Sequence, residues 1–396
     1  YAGYNITTGD HNIGIGSSGL GYAFNGTALT GDQNIGIGFE TGHIISSGDN
    51  NILIGYKAGY ATTTADENIA IGKQALTATT TGYGNTSIGR YSMMANTTGY
   101  FNSALGYNSL IANTTGDSNV ALGMYALSAN TTGIRNIGIG YNAVGSNTTA
   151  MGNVGIGHTA LTANTTGSSN TSIGYASLAA NTTAANNTGI GYFALGANTT
   201  ASYNTALGWE AAKANTTGNF NVAIGAGSLD ANTTGDKNTV VGAYALTDNT
   251  TGNYNTAVGQ QALGDNTTAD NNSAFGFNAL LVNTTGANNS ALGESALKAN
   301  TTGADNTAAG RYSLGSNTTG IRNEAFGVNA LYTNTTGGNN VAMGRQALYS
   351  NTTASNNVAV GGNSLTANTT GANNTALGYF AGDNITTGSS NIIIGA

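Results

Sequence analysis

The chain repeats one seventeen-residue sentence, roughly Asn-Thr-Ala-Ile-Gly-x-x-Ala-Leu-x-x-Asn-Thr-Thr-Gly-x-x, over almost its whole length. Its anchor asparagines fall at Asn34, Asn51, Asn68, Asn85 and Asn102 and keep that spacing through Asn374 to Asn391. One interval breaks step. Asn12 and Asn34 are twenty-two residues apart, so five extra residues lie within 17–33. A strict short period over 396 residues means one small unit stacked many times, so residues 1–396 are expected to form a single repeat domain. It also means that no single position is chemically special.

Counting from the anchor Asn as position 1, position 5 is Gly in all twenty-three copies, from Gly16 to Gly395. Position 4 is a large apolar residue (Ile37, Ile88, Leu105, Leu122, Ile394), with Ala309 the one small exception. Position 9 is usually Leu, as at Leu110, Leu161, Leu263 and Leu348. Positions 12–14 are Asn-Thr-Thr in seventeen copies, Asn96 to Asn368. A helix carrying this much Gly and Thr per repeat would lose several kcal/mol, at ~1 kcal/mol for each glycine. Two short strands per repeat, at positions 1–4 and 8–14, each ended by a glycine-containing turn, fit better. The absence of proline suits ladders in which every backbone N–H is used.

The expected fold is therefore all-β: a parallel β-solenoid, or β-roll, of about 23 turns of seventeen residues. Glycine at position 5 is expected to take a positive φ or to sit where a Cβ has no room. Positions 4 and 9 are expected to form a thin core. The small residues at position 3 would then face outward and let another surface approach closely, most simply in a homotrimer. Stacked asparagines at positions 1 and 12 are expected to form amide ladders.

Charged residues make up 7% of the chain, with a net charge of −7, which excludes the clustered basic footprint of a nucleic-acid binder. No cysteine is present for a disulfide or a thiolate metal site, and no apolar run has the length of a membrane-spanning helix. The chain opens at Tyr1 rather than Met, as expected of a processed product or a piece of a longer polypeptide. His11, His43 and His158 lie in different repeats with no recurring Ser or Asp partner, and are expected at the surface or in turns. Aspartates at position 16, such as Asp117 and Asp236, lack the spacing of calcium-binding β-rolls. No enzyme, metal or cofactor is expected.

Every Asn-Thr-Thr matches the N-glycosylation acceptor pattern, which makes Asn96, Asn113, Asn130, Asn164, Asn181, Asn215 and Asn232 candidate acceptors; Asn5 and Asn384 carry it too. Turn chemistry accounts for the same residues without a glycan. Adjacent threonines such as Thr97 and Thr98 point to opposite faces of a strand, so only one threonine column can face outward, against the paired columns an ice-binding face needs. Position 6 varies most in character. Its aromatics, Tyr192, Trp209 and Phe277 among them, are candidate glycan contacts along one edge.

Asn68-Ile-Ala-Ile-Gly72, Asn119-Val-Ala-Leu-Gly123 and Asn221-Val-Ala-Ile-Gly225, each followed by x-x-Ala or x-x-Ser, resemble the head repeats of YadA-like trimeric autotransporter adhesins. The longer form, with Ala-Leu-x-x-Asn-Thr-Thr-Gly between copies, is similar to repeats of tail-fibre-like proteins of bacteria and phages. The resemblance implies a trimeric left-handed β-roll and an extracellular place, on a cell surface or a virion. The functional expectation is a non-catalytic fibre or adhesin shaft that associates with itself, without membrane insertion; cell-surface glycans are the other partners it allows. A head-to-tail filament subunit is the alternative. Tyr1-Ala-Gly-Tyr-Asn-Ile-Thr-Thr-Gly9 echoes Phe380-Ala-Gly-Asp-Asn-Ile-Thr-Thr-Gly388, and Ala396 would meet Tyr1 in phase. Glu324 stands out at position 2, elsewhere apolar or hydroxylated.

Overall fold

In the computed structural model, residues 6–20 and 28–395 are described. The chain forms two compact units, Tyr1–Thr200 and Ala201–Ala396, built from the same coil. Among the described residues the first holds eleven three-residue strands, β1 (Ile13–Ile15) to β11 (Thr188–Ile190), and the second twelve, β12 (Thr205–Leu207) to β23 (Ile392–Ile394). Within each unit neighbouring strands pair parallel and in exact repeat register, as Ser103 with Val120 and Leu105 with Leu122. Each unit is a parallel β-solenoid of seventeen-residue coils. The expected echo between Tyr1–Gly9 and Phe380–Gly388 falls partly on residues 1–5, outside the described residues, as does Ala396. So do residues 21–27 of the enlarged repeat; its described end places Leu29 against Ile45 in a small apolar cluster with Leu20.

The coil has one strand, not two. Positions 8–14 run through successive turns, because positions 7, 9 and 17 are left-handed: Asn108 has φ 55°, Leu110 50° and Ser118 57°. The stacking ladder nevertheless continues through those turns. Leu110 N–H donates to the Ala126 carbonyl at 2.9 Å and Thr114 N–H to the Thr131 carbonyl at 2.8 Å. Coil-to-coil hydrogen bonding therefore does not require extended backbone, only the same conformation in each copy. Position 5 behaves as expected on both counts. Gly106 has φ 140°, and a Cβ there would stand 2.6 Å from the Gly123 carbonyl oxygen of the next coil.

The faces of the strand are the reverse of the expectation. Position 3 points inward and is buried, as at Ala104, Ala121 and Ala223, while positions 2 and 4 point out. The reason is width. A Cβ built on Gly36 would lie 2.6 Å from Cγ of Leu20, and one on Gly138 would lie 3.1 Å from Cγ of Leu127. The position-9 leucine of one coil thus fills the space under position 3 of the next, leaving room for Gly, Ala or Ser in nearly every coil.

Buried amides supply the rest of the interior. Asn102 Nδ2 donates to the Gly116 carbonyl at 2.8 Å and to Asn85 Oδ1 at 3.2 Å; Asn85 Oδ1 also accepts the Asn102 N–H. Asn113 Nδ2 bonds Asn96 Oδ1 at 2.8 Å and reaches the same Gly116 carbonyl at 2.9 Å. In the first unit the ladder at position 12 starts where Asn96 donates to Thr79 Oγ1. In the second unit the ladder stops at Asn368, whose buried Oδ1 has no donor because Ile385 stands at position 12 of the next coil.

Replacing Asn221 by Asp removes the donor to the Gly235 carbonyl and brings a charge into a fully buried site. A loss of about 3 kcal/mol is expected. Gly259→Ala, with φ 133° and a Cβ position 2.5 Å from the Gly276 oxygen, should cost at least ~2 kcal/mol. Urea unfolding of each variant measures both.

Candidate functional surfaces

The chemistry-bearing residues do not converge. Among the described residues, no group of three or more His, Asp or Glu side chains is placed to hold a metal ion. His158 stacks between Tyr141 (5.0 Å) and Tyr175 (5.3 Å) on the outer edge. His43 lies in a turn and is buried there, with its ring stacked on Tyr60 at 5.0 Å. The position-16 aspartates serve the backbone. Asp32 and Asp49 each accept the N–H of the preceding coil's aspartate at 2.7 Å, and Asp117 accepts the Tyr100 N–H. These carboxylates cap a turn.

All seven candidate glycan acceptors, Asn96, Asn113, Asn130, Asn164, Asn181, Asn215 and Asn232, are ladder residues with fully buried side chains. Their Nδ2 atoms, which would carry the sugar, donate to the position-15 carbonyls, as Asn232 does to Gly235 at 3.0 Å. A glycan on any of them would remove these bonds and could not be enclosed in the coil. Asn384, by contrast, is exposed. Thr97 and its equivalents turn Oγ1 onto the next coil's carbonyl, so one threonine column, at position 14, faces out.

Position 6 does form an edge. Tyr141, His158, Tyr175 and Tyr192 stack ring on ring at 5.0–5.4 Å, with each inner face covered by its neighbour. Tyr192 therefore has one face taken by Tyr175. Trp209 is 49% exposed, and the next two position-6 residues after it are Ala226 and Ala243. Phe277, also exposed, lies four coils further along than Trp209. In the second unit Trp209 and Phe277 share a column without forming a common pocket.

A second edge, at positions 10 and 11, gathers Asp230, Asp248 and Asp265 in successive coils. Burial, then the Asp248 carboxylate, raise the Asp265 pKa above the usual carboxylate range; Asp230 is raised by burial, then Asp248, then Glu210. A carboxylate whose folded pKa is raised contributes full stability only below its unfolded value, and loses it as pH rises through the folded one. At neutral pH this edge is therefore under mild repulsion. Asp248→Asn should raise stability at pH 7 by a few tenths of a kcal/mol, since solvent screens these partly exposed groups. The gain should vanish in acid, where its neighbours are protonated, and urea midpoints at the two pH values test it.

The largest feature is one that the periodicity concealed. Positions 2 and 4 carry two parallel outward columns down each unit, with Leu105, Leu122, Leu207, Phe275, Leu292 and Leu377 exposed. Leu292 is 59% exposed. Among the described residues no strand carries Lys or Arg, and Glu324 is the sole charged strand residue. No protein-family model matches the sequence, and no curated protein matches it.

Proposed function

We propose that the chain is the non-catalytic structural shaft of an extracellular fibre or adhesin, assembled from copies of itself through its outward strand face. The observation that carries this proposal is the exposed apolar column at position 4, flanked at position 2 by Thr, Ser, Val and Ile with Glu324 the one charge, on a fold whose narrow interior is already filled by position-9 leucines, small side chains and amides. Contiguous exposed apolar area of this kind marks an interaction surface. In the second unit the twelve strands extend the columns for about 50 Å at ~4.8 Å each, and the columns stand about 7 Å apart. Such a strip offers on the order of 500 Å² per copy, so two copies reach the ~1,000 Å² of a specific interface within that unit. A second copy is the natural occupant, because it matches the coil pitch at every level. The likeness of the Asn-x-Ala-Ile-Gly segments to trimeric adhesin heads supports the same arrangement, now with position 4 rather than position 3 at the contact.

Leu207→Lys combined with Leu377→Lys places charge on the face at two outward sites, 45% and 49% exposed, without touching the interior. The far-UV circular dichroism should stay unchanged while sedimentation shifts from oligomer to monomer. A wild-type chain that sediments as a monomer at high concentration, or an oligomer indifferent to both lysines, would sink the proposal.

A further inference from the structure

A periodic face has a problem of its own. Sliding one copy along another by a single coil exchanges Ile for Val or Leu and costs little, so periodicity alone leaves the level undefined. In the second unit one stretch of the position-4 column breaks this uniformity: Phe275, Leu292, Ala309 and Phe326 in successive coils. Ala309, the small exception, sits at the bottom of an apolar hollow of about 440 Å³. Phe275, Leu292 and Phe326 wall it, and Ser273 and Ser290 lower its side along position 2.

We propose that this hollow is a level key between copies: the Phe326 ring of one copy seats in the Ala309 hollow of another, and the reverse. The inference rests on self-association through the strand face. Parallel copies related by closed symmetry place equal coils opposite one another. Phe326 would then meet Phe326 across the contact, where two rings cannot both stand upright. One coil away, a step of ~4.8 Å that an aromatic side chain spans diagonally, Ala309 leaves room for each ring. The exchange is reciprocal, so every copy's hollow is filled by the same residue. A one-coil slip seats one ring only; the other copy's ring then faces Met343, and its partner's Ala309 faces Leu292. The first unit carries no comparable contrast, since its position-4 column is Ile or Leu throughout β1–β11.

The test uses the full chain in sedimentation equilibrium. Ala309→Phe fills the hollow with a residue that this outward position already holds in Phe275 and Phe326, so the coil should fold normally by circular dichroism. Association should weaken about tenfold or more, as overpacking at a contact does. Exchanging the pair, Ala309→Phe with Phe326→Ala, moves the hollow by one coil and keeps the reciprocity, so association should return to near the wild-type strength. The chain has no cysteine, so Leu377→Cys, on the position-4 column that meets itself across the contact, reports the level directly. Its disulfide dimer should form readily, and its yield should fall when Ala309→Phe is added. Assembly of Ala309→Phe as tight as wild type, or failure of the exchanged pair to recover, overturns the key while leaving the shaft proposal standing. A wild-type chain that does not associate at all removes both.

Discussion

The position-15 carbonyl is the junction on which the coil depends. Gly116 O accepts two buried amides, Asn102 and Asn113, from opposite ends of the repeat, and each of those amides also bonds its equivalent seventeen residues away. One set of contacts therefore closes the coil across its width and fastens it to its neighbour along the stack. With so few large apolar side chains inside, a buried amide left without these partners would cost as much as a lost leucine contact. This is why asparagine, a poor strand former, is nonetheless the anchor of every coil. A chain that meets the condition in one coil meets it in all of them, because the partners are copies of one another.

That narrow, amide-braced interior also decides what the surface must be. Position-9 leucine occupies the space beneath position 3 of the next coil, so the strand can turn only its small middle residue inward. The large apolar residues at position 4 are displaced to the outside as a geometric consequence. A solenoid built this way leaves its apolar column exposed, and the proposed association through that column would cover what the packing of the single coil displaces. The one interruption of the column, at Ala309, then gains meaning from its neighbours Phe275 and Phe326 rather than from its own chemistry.

Much of this was legible in the residues. The invariant glycine at position 5 announced both its positive φ and its lack of room, and the repeated asparagines announced ladders. A strand expected at positions 1–4, found at 2–4, and the parallel stacking followed from the period. Other features left no local mark. Leu110 adopts a left-handed backbone, a conformation that nothing in a leucine advertises, and this turned the expected second strand into a chain of turns. The Asn-Thr-Thr acceptor pattern of Asn96 or Asn215 is local, whereas the burial that encloses those amides belongs to the stack. His43 is the turn residue its sequence suggests, but its burial under Tyr60 of the next coil left no local mark.

The sequence by itself determined the period, the parallel β-solenoid, the ladders and the glycine corner, because each depends on like residues meeting like residues one repeat away. Only the tertiary structure decided which way the strand faces. Alternation says that positions 3 and 4 lie on opposite sides, and hydrophobicity alone assigns Ile and Leu to the inside. The width of the coil overrules it. Inside and outside were settled by the volume left under position 3 once the leucine of the adjacent coil was in place, a quantity that exists only when two coils are packed together.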